Sequence, residues 1–211
     1  MRLLDVMRHA QRCLALVLLL WTVAVRAQAT DGVTVGDVAP SFSLKNIDGS
    51  TVSLSSYSSQ KGAIIVFTCN HCPYSVKYED RIIALHEMFA PKGYPVIAIN
   101  PNDAEKVPED SFENMKIRAS ERKFTFPYLI DDSQQTALAY GAKRTPHVFV
   151  VSNTKEGARV MYIGAIDDNA TDADAVETFF VRDAVSELLA GGVPTKPLTK
   201  AIGCSIKWKN K

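Results

Sequence analysis

Two cysteines three positions apart, Cys69 and Cys72, stand where an apolar run at 63–67 gives way to a helical pattern that begins near Pro73. Thiols at this spacing can close a small disulfide ring and open it again. The first of them is expected beside the helix N-terminus, where orphan N–H groups and the positive end of the dipole favour thiolate over thiol, which makes Cys69 the candidate nucleophile. Cys72 is then the resolving thiol. His71 lies between them and offers a hydrogen-bond donor or, once protonated, a positive charge. Either stabilises a thiolate, and a more stable thiolate means a more oxidising disulfide. Two other readings use the same residues. Cys69, His71, Cys72 and Cys204 enumerate as four zinc ligands, although His71 is too close in sequence for comfortable tetrahedral geometry and no second Cys pair follows. In an oxidising compartment the pair can also be a structural clip in a binding module.

The elements that must position these thiols are legible as periodicity. Alternation at Phe42/Leu44 and Val52/Leu54 around Asp48-Gly49 predicts a β-hairpin, and the continuous β-branched run at 63–67 predicts a strand covered on both faces. Helical spacing from Pro73 is stopped by Pro91-Lys92-Gly93. Strands are expected at 94–99, 126–130 and 147–151, with 160–163 as hairpin partner of the last. Helices are expected at 111–123, started by Asp110 with Glu113 at capping-box spacing, at 133–140 closed by Gly141, and at 174–189 ended by Gly191-Gly192. Central alternation of strands and helices with antiparallel edges reads as one α/β domain with a mixed sheet.

Of the 211 residues, the first 29 read as a secretory signal: Arg2, Arg8 and Arg12 are basic, 14–25 is unbroken apolar sequence, and the small Ala27 and Ala29 follow. The apolar run falls short of the ~18 to 20 residues needed to span a bilayer, so no stable membrane insertion is expected. The chain thus divides into a signal at 1–29, a domain at 30–195 and a tail at 196–211, in a secreted or periplasmic protein. Loss of the leader removes four arginines against one aspartate and turns the net charge of +1 into −2, which gives no reason to expect nucleic acid as a partner.

Far from the cysteines in sequence, Thr145-Pro146 precedes the strand at 147–151; on backbone physics alone an X-Pro bond is mostly trans. The ordered set of strand, Cys-x-x-Cys, helix, then Thr-Pro and a hairpin resembles the thioredoxin fold: a central mixed β-sheet flanked by helices, here with an added N-terminal β-hairpin. The resemblance implies that Pro146 is cis and packs beside the disulfide. Gly36-x-x-Ala39-Pro40-x-Phe42-x-Leu44 looks like the opening of the alkyl hydroperoxide reductase/peroxiredoxin branch. Thr68-Cys69-Asn70-His71-Cys72-Pro73-Tyr74, Pro108-Glu109-Asp110-Ser111, Arg144-Thr145-Pro146-His147-Val148-Phe149 and Gly203-Cys204-Ser205-Ile206-Lys207-Trp208-Lys209 together are similar to a peroxiredoxin-like thioredoxin domain subfamily. What this implies is a thiol-disulfide oxidoreductase acting on protein or small-molecule disulfides. Thr145 and Pro146 would shape the site with His71 and pair with an extended substrate segment. No metal, flavin or nucleotide motif is present, so no cofactor is expected, and electrons must come from a thioredoxin-type protein or a small thiol.

The chain departs from the pattern in two places. Thioredoxins carry a buried acid where Ala63 stands, and some extracytoplasmic relatives carry a carboxylate where Ser75 stands. Glu79, Asp80 or a water are left as acceptors for the Cys72 proton. Peroxiredoxins place their reactive cysteine at the position of Cys72, with a Thr where Cys69 is and an activating Arg near Arg144. A thiol peroxidase that turns over peroxides through Cys72 is therefore the alternative function. Cys204 reads either as a small buried hydrophobe anchoring the tail beside Ile206 and Trp208 or as a third redox cysteine exchanging with Cys69 or Cys72. The extended chain from Pro194 spans at most ~35 Å, about the width of the domain, so reach permits the second reading. His86 reads as a boundary residue, His147 as a strand position or a groove residue, and Asp131-Asp132 and Asp167-Asp168 as turn residues.

Overall fold

The computed structural model of the chain describes residues 32–209; the expected signal at 1–29 lies outside the described residues. In chain order the elements are β1 (Ser43–Asn46), β2 (Thr51–Ser53), β3 (Gly62–Phe67), α1 (Pro73–Phe89), β4 (Val96–Asn100), α2 (Phe112–Arg122) and β5 (Tyr128–Ile130). Then follow α3 (Gln135–Tyr140), β6 (Arg144–Thr145), β7 (His147–Thr154), β8 (Gly157–Gly164), α4 (Phe180–Leu189) and β9 (Cys204–Ser205). Among the described residues no helix is long and apolar enough to cross a membrane.

β3 and β4 are buried at every position, as their unbroken apolar sequence requires, and they form the centre of a mixed sheet of order β2-β1-β5-β4-β3-β7-β8. β3, β4 and β5 run parallel; β7 runs antiparallel to β3 and carries β8. The expected N-terminal hairpin, β1–β2, extends the opposite edge by pairing antiparallel with β5. Alternation in β3 sends Ile64 and Val66 to one face and Ala63, Ile65 and Phe67 to the other. On the first face lie Tyr78, Ile82 and Phe89 of α1, Met115 of α2 and Val181 and Val185 of α4. Ala137 and Tyr140 of α3, Phe42, Leu54 and the tail residue Ile206 cover the second.

Two helix starts differ from expectation, each for a polar reason. α2 is capped by Ser111, whose hydroxyl accepts the Asn114 N–H, because the Asp110 carboxylate is drawn elsewhere. The last helix begins at Phe180 instead of 174. Asp168 accepts the backbone N–H groups of Glu177 and Thr178, and Asn169 those of Thr171 and Asp172, so side chains satisfy this backbone in a loop. The tail from 196 onward is woven into the domain: β9 pairs with β6, and Ile206 is buried in the second core.

α1 and α2, which flank the cysteine turn, are tied by a buried carboxylate. Glu79 receives Arg118 Nε and Nη2 at 2.7 Å each and lies 3.0 Å from Arg122 Nε. Losing one partner strands a charge in a dry place. Arg118→Ala is therefore expected to destabilise the fold by about 2 kcal/mol in urea unfolding. The double variant Arg118→Ala/Glu79→Gln, which removes the buried charge as well, should recover part of the loss.

Candidate redox site

The site is built where β3 ends and α1 begins. Pro73 takes the first helical position, which leaves Cys72 as N-cap and places Cys69 in the turn before it. This corrects the expectation from spacing: Cys72, not Cys69, sits at the end of the helix dipole. Both sulfurs are free thiols, and they converge on one residue of a distant element. Cys69 Sγ lies 3.2 Å from Thr145 Oγ1, and Cys72 Sγ lies 3.1 Å from the Thr145 carbonyl, to which it donates when protonated. The Thr145-Pro146 bond is cis, as the resemblance implied. The site is closed: Cys69 is 2 % exposed and Cys72 0 %.

Asp110 is the site residue that local sequence reasoning missed. It is fully buried, and its carboxylate accepts from Asn70 N at 2.7 Å, His71 N at 3.2 Å, His71 Nδ1 at 2.6 Å and Asn102 Nδ2 at 2.8 Å. Three of these donors belong to the turn between the cysteines, so one carboxylate fixes that turn. Its signal was present in the Pro108-Glu109-Asp110-Ser111 motif but was absorbed there as a helix cap. His71 is thereby oriented with Nδ1 toward Asp110 and 3.7 Å from Cys69 Sγ. Any positive charge on it is met by Asp110 before it reaches a thiolate.

The sulfurs divide the charge unequally. The Cys72 thiol is pushed down to about 4, first by a hydrogen bond from the Cys69 thiol, then by Cys204 and by the Ser75 amide one turn into α1. Cys69 is pushed up, because its proton is the one Cys72 uses, because it is buried, and because Asp110 repels a second charge. Cys204 is pushed up to about 11 by burial and by the neighbouring Cys72. Of the three sulfurs, Cys72 is the one whose surroundings favour loss of the proton.

The other expected residues fall as follows. Neither Glu79 nor Asp80 is free to take the Cys72 proton, since Glu79 is held by Arg118 and Arg122 and Asp80 is paired with Arg122. Arg144 donates to the Gly203 carbonyl at 2.8 Å and lowers the Cys204 thiol against burial. His147 packs on Phe149, accepts the Lys143 N–H and is pushed down to about 4 by burial and by Lys143 and Arg144, a neutral strand residue. His86 accepts the Val96 N–H and supports the start of β4. The zinc set is not assembled as enumerated. Cys69 Sγ, His71 Nδ1 and an Asp110 oxygen lie within 4.8 Å of one another, without Cys72 or Cys204. Asp110 is already met by four donors, and a 2.6 Å contact to it keeps a proton on His71 Nδ1, so a metal would have to displace both.

A profile of the AhpC/TSA family matches residues 35–160. The chain belongs to the AhpC/TSA family. Among solved structures, this AhpC/TSA chain is similar to an uncharacterized conserved protein from Geobacillus kaustophilus, with 38% identity and a TM-score of 0.78 over 84% of this chain and 94% of that one. Among curated proteins it is similar to the thiol-disulfide oxidoreductase ResA of Geobacillus thermodenitrificans, 25% identical over 132 residues, which is 61% of this chain and 70% of the relative. The thioredoxin domain of a thiol-disulfide oxidoreductase from Bacteroides vulgatus shares the fold, with 19% identity and a TM-score of 0.53 over 63% of this chain and 89% of that one. The AhpC/TSA chain thus has a thioredoxin-like fold of the peroxiredoxin-like branch.

Because the Cys72 value lies below that of an ordinary thiol, one thiolate should persist from alkaline into mildly acidic pH and vanish as pH falls through about 4. Far-ultraviolet thiolate absorbance of the reduced protein checks this, and Cys72→Ser should abolish the acidic step. Asp110→Asn removes a charge that holds the Cys69 proton, so the second, alkaline step should move to lower pH.

Proposed function

We propose that this chain is an extracytoplasmic thiol-disulfide oxidoreductase whose Cys69/Cys72 pair cycles between dithiol and disulfide. The observation that carries this is the convergence of two unbridged sulfurs on Thr145, one against its hydroxyl and one against its carbonyl, at the start of a long helix. The ResA similarity supports the same activity, and the basic, apolar and small-residue order of 1–29 supports export.

In this reading the roles run in the reverse of the order expected from spacing, because Cys72 is the N-cap and its surroundings favour the thiolate. Cys72 thiolate attacks a disulfide sulfur, forming a mixed disulfide and releasing one thiolate. The Cys69 sulfur then attacks Cys72 Sγ, closes the internal disulfide and releases the second thiol, while its proton leaves with the departing group. Protein or small-molecule disulfides are the substrates, and a thioredoxin-type protein or a small thiol restores the dithiol.

A peroxidase is the second reading, favoured by the lowered Cys72 thiol at the position where peroxiredoxins keep their reactive sulfur. Attack of Cys72 on a peroxide oxygen breaks the O–O bond, releasing an alcohol or water and leaving a sulfenic acid. Cys69 condenses with it, giving the disulfide and one water.

Turnover of a protein disulfide and of a peroxide, each measured on the wild type, Cys69→Ser and Cys72→Ser, separates these readings. Cys72→Ser is expected to lose exchange by on the order of a hundredfold or more, whereas Cys69→Ser should stop at a disulfide on Cys72, to the substrate or to Cys204. Loss confined to Cys69→Ser restores the order expected from spacing. Peroxide consumption outpacing exchange makes the protein a peroxidase, and variants equal to wild type in both assays make it a binding module.

A further inference from the structure

The edge expected to receive an extended substrate is already taken by the chain itself. β6 pairs antiparallel with β9, Arg144 opposite Ser205 and Thr145 opposite Cys204. The fit is close. A Cβ on Gly203 would stand 2.2 Å from the Thr145 carbonyl oxygen and 3.0 Å from Pro146 N, so only glycine lets the tail lie flush against the cis bond. Arg144 clasps the Gly203 carbonyl on one side of Cys204. On the other side the tail is anchored by buried Ile206 and by Lys207. The Lys207 N–H donates to Asn102 Oδ1 at 2.9 Å, and its carbonyl accepts from Asp103 N and Gln134 Nε2, each at 2.9 Å. These anchors hold one sulfur in place opposite Thr145.

Thr145 touches both sulfurs of the pair, so its register partner Cys204 is the third member of a cluster built around one residue. The three differ in access: Cys69 and Cys72 are sealed, and Cys204 is half-buried. While the tail is docked, a bulky protein disulfide or dithiol meets Cys204 before it can reach Cys72.

We propose that the tail is a built-in substrate: β9 occupies the place of an extended partner strand, and Cys204 relays disulfide exchange between the sealed Cys69/Cys72 pair and thiols outside. This rests on the reading of the pair as an exchanging disulfide. In the oxidised protein the Cys204 sulfur attacks Cys72 Sγ. The Cys72–Cys204 bond forms, the Cys69–Cys72 bond breaks, and the proton from Cys204 passes to the departing Cys69 sulfur. No outside oxidant enters, since a disulfide has only changed partners. An external thiol then attacks Cys204 Sγ, freeing Cys72. A second thiol attacks the resulting mixed disulfide, leaving the chain fully reduced and the two external thiols joined. The charge on Cys72 that helps hold the Cys204 proton is absent while Cys72 is in a disulfide, so Cys204 becomes the better nucleophile when it has work to do.

The first test is disulfide mapping of the full chain. Cys69→Ser oxidised with diamide should yield a Cys72–Cys204 disulfide; Cys204 that stays fully alkylatable overturns the relay. The second is kinetic. Reduction of the oxidised wild type by a thioredoxin-type protein dithiol should be slowed on the order of tenfold in Cys204→Ser, a near-isosteric change that keeps the tail docked. Equal rates overturn the relay. Gly203→Ala, which forces the tail off the cis bond, should raise the rate of Cys69 alkylation and make reduction insensitive to further loss of Cys204; unchanged alkylation overturns the docking half of the proposal. If wild type forms no Cys69–Cys72 disulfide under diamide, the exchange reading itself has failed. If that disulfide forms and cycles without help from Cys204, only the relay has.

Discussion

A carboxylate taken out of water costs several kcal/mol unless donors replace the lost hydration. Asp110 has no exposure, and the four N–H groups that meet it come from Asn70, His71 and Asn102. Satisfying that charge fixes the backbone between the two cysteines. Its reach extends further, because Asn70 also accepts the Tyr128 hydroxyl and donates to the Glu109 carbonyl, while Asn100 donates to the Asp110 carbonyl. The ends of β4 and β5, the entry to α2 and the cysteine turn form one polar knot. The sulfur positions are inherited from it.

Much of this architecture could be read from residue patterns alone, and the failures share a cause. β3, β4 and β7 are legible because burial on both faces writes an unbroken apolar run, and α1 because its apolar positions recur at helical spacing behind a proline. Asp110 was not legible as a site residue because Asp-x-x-Glu also spells a capping box. Its true partners lie about 40 positions away, where local spacing carries no information. The same holds for α4, where Asp168 and Asn169 satisfy a loop that otherwise scans as a first helical turn. The N-cap assignment is different, since Pro73 as first helical residue already placed Cys72 there. The spacing of the two cysteines alone does not say which of them meets the first helical turn; the proline does.

The two-residue ribbon of β6 and β9 lies below what periodicity can detect, yet it changes the meaning of the site. Without the tail, Thr145 and Pro146 form an open edge for a visiting strand. With it, the edge is filled, Cys69 and Cys72 are dry, and the low dielectric around them strengthens every hydrogen bond to those sulfurs. The tail residues Gly203, Cys204 and Ile206 thus belong to the site as much as the motif 70 or so helix and strand positions upstream does, and the thioredoxin-like scaffold is what allows so short a ribbon to have that effect.

Among the described residues the number of cysteines is odd. Three sulfurs cannot pair off, so any oxidised form closed within the domain leaves one thiol over. With Cys72 between two suitors, the leftover is Cys69 in one isomer and Cys204 in the other, the first inside the protein and the second at its surface. On the proposed relay, one two-electron oxidation has two addresses, and which of them is filled sets whether the remaining thiol faces the interior or the surface.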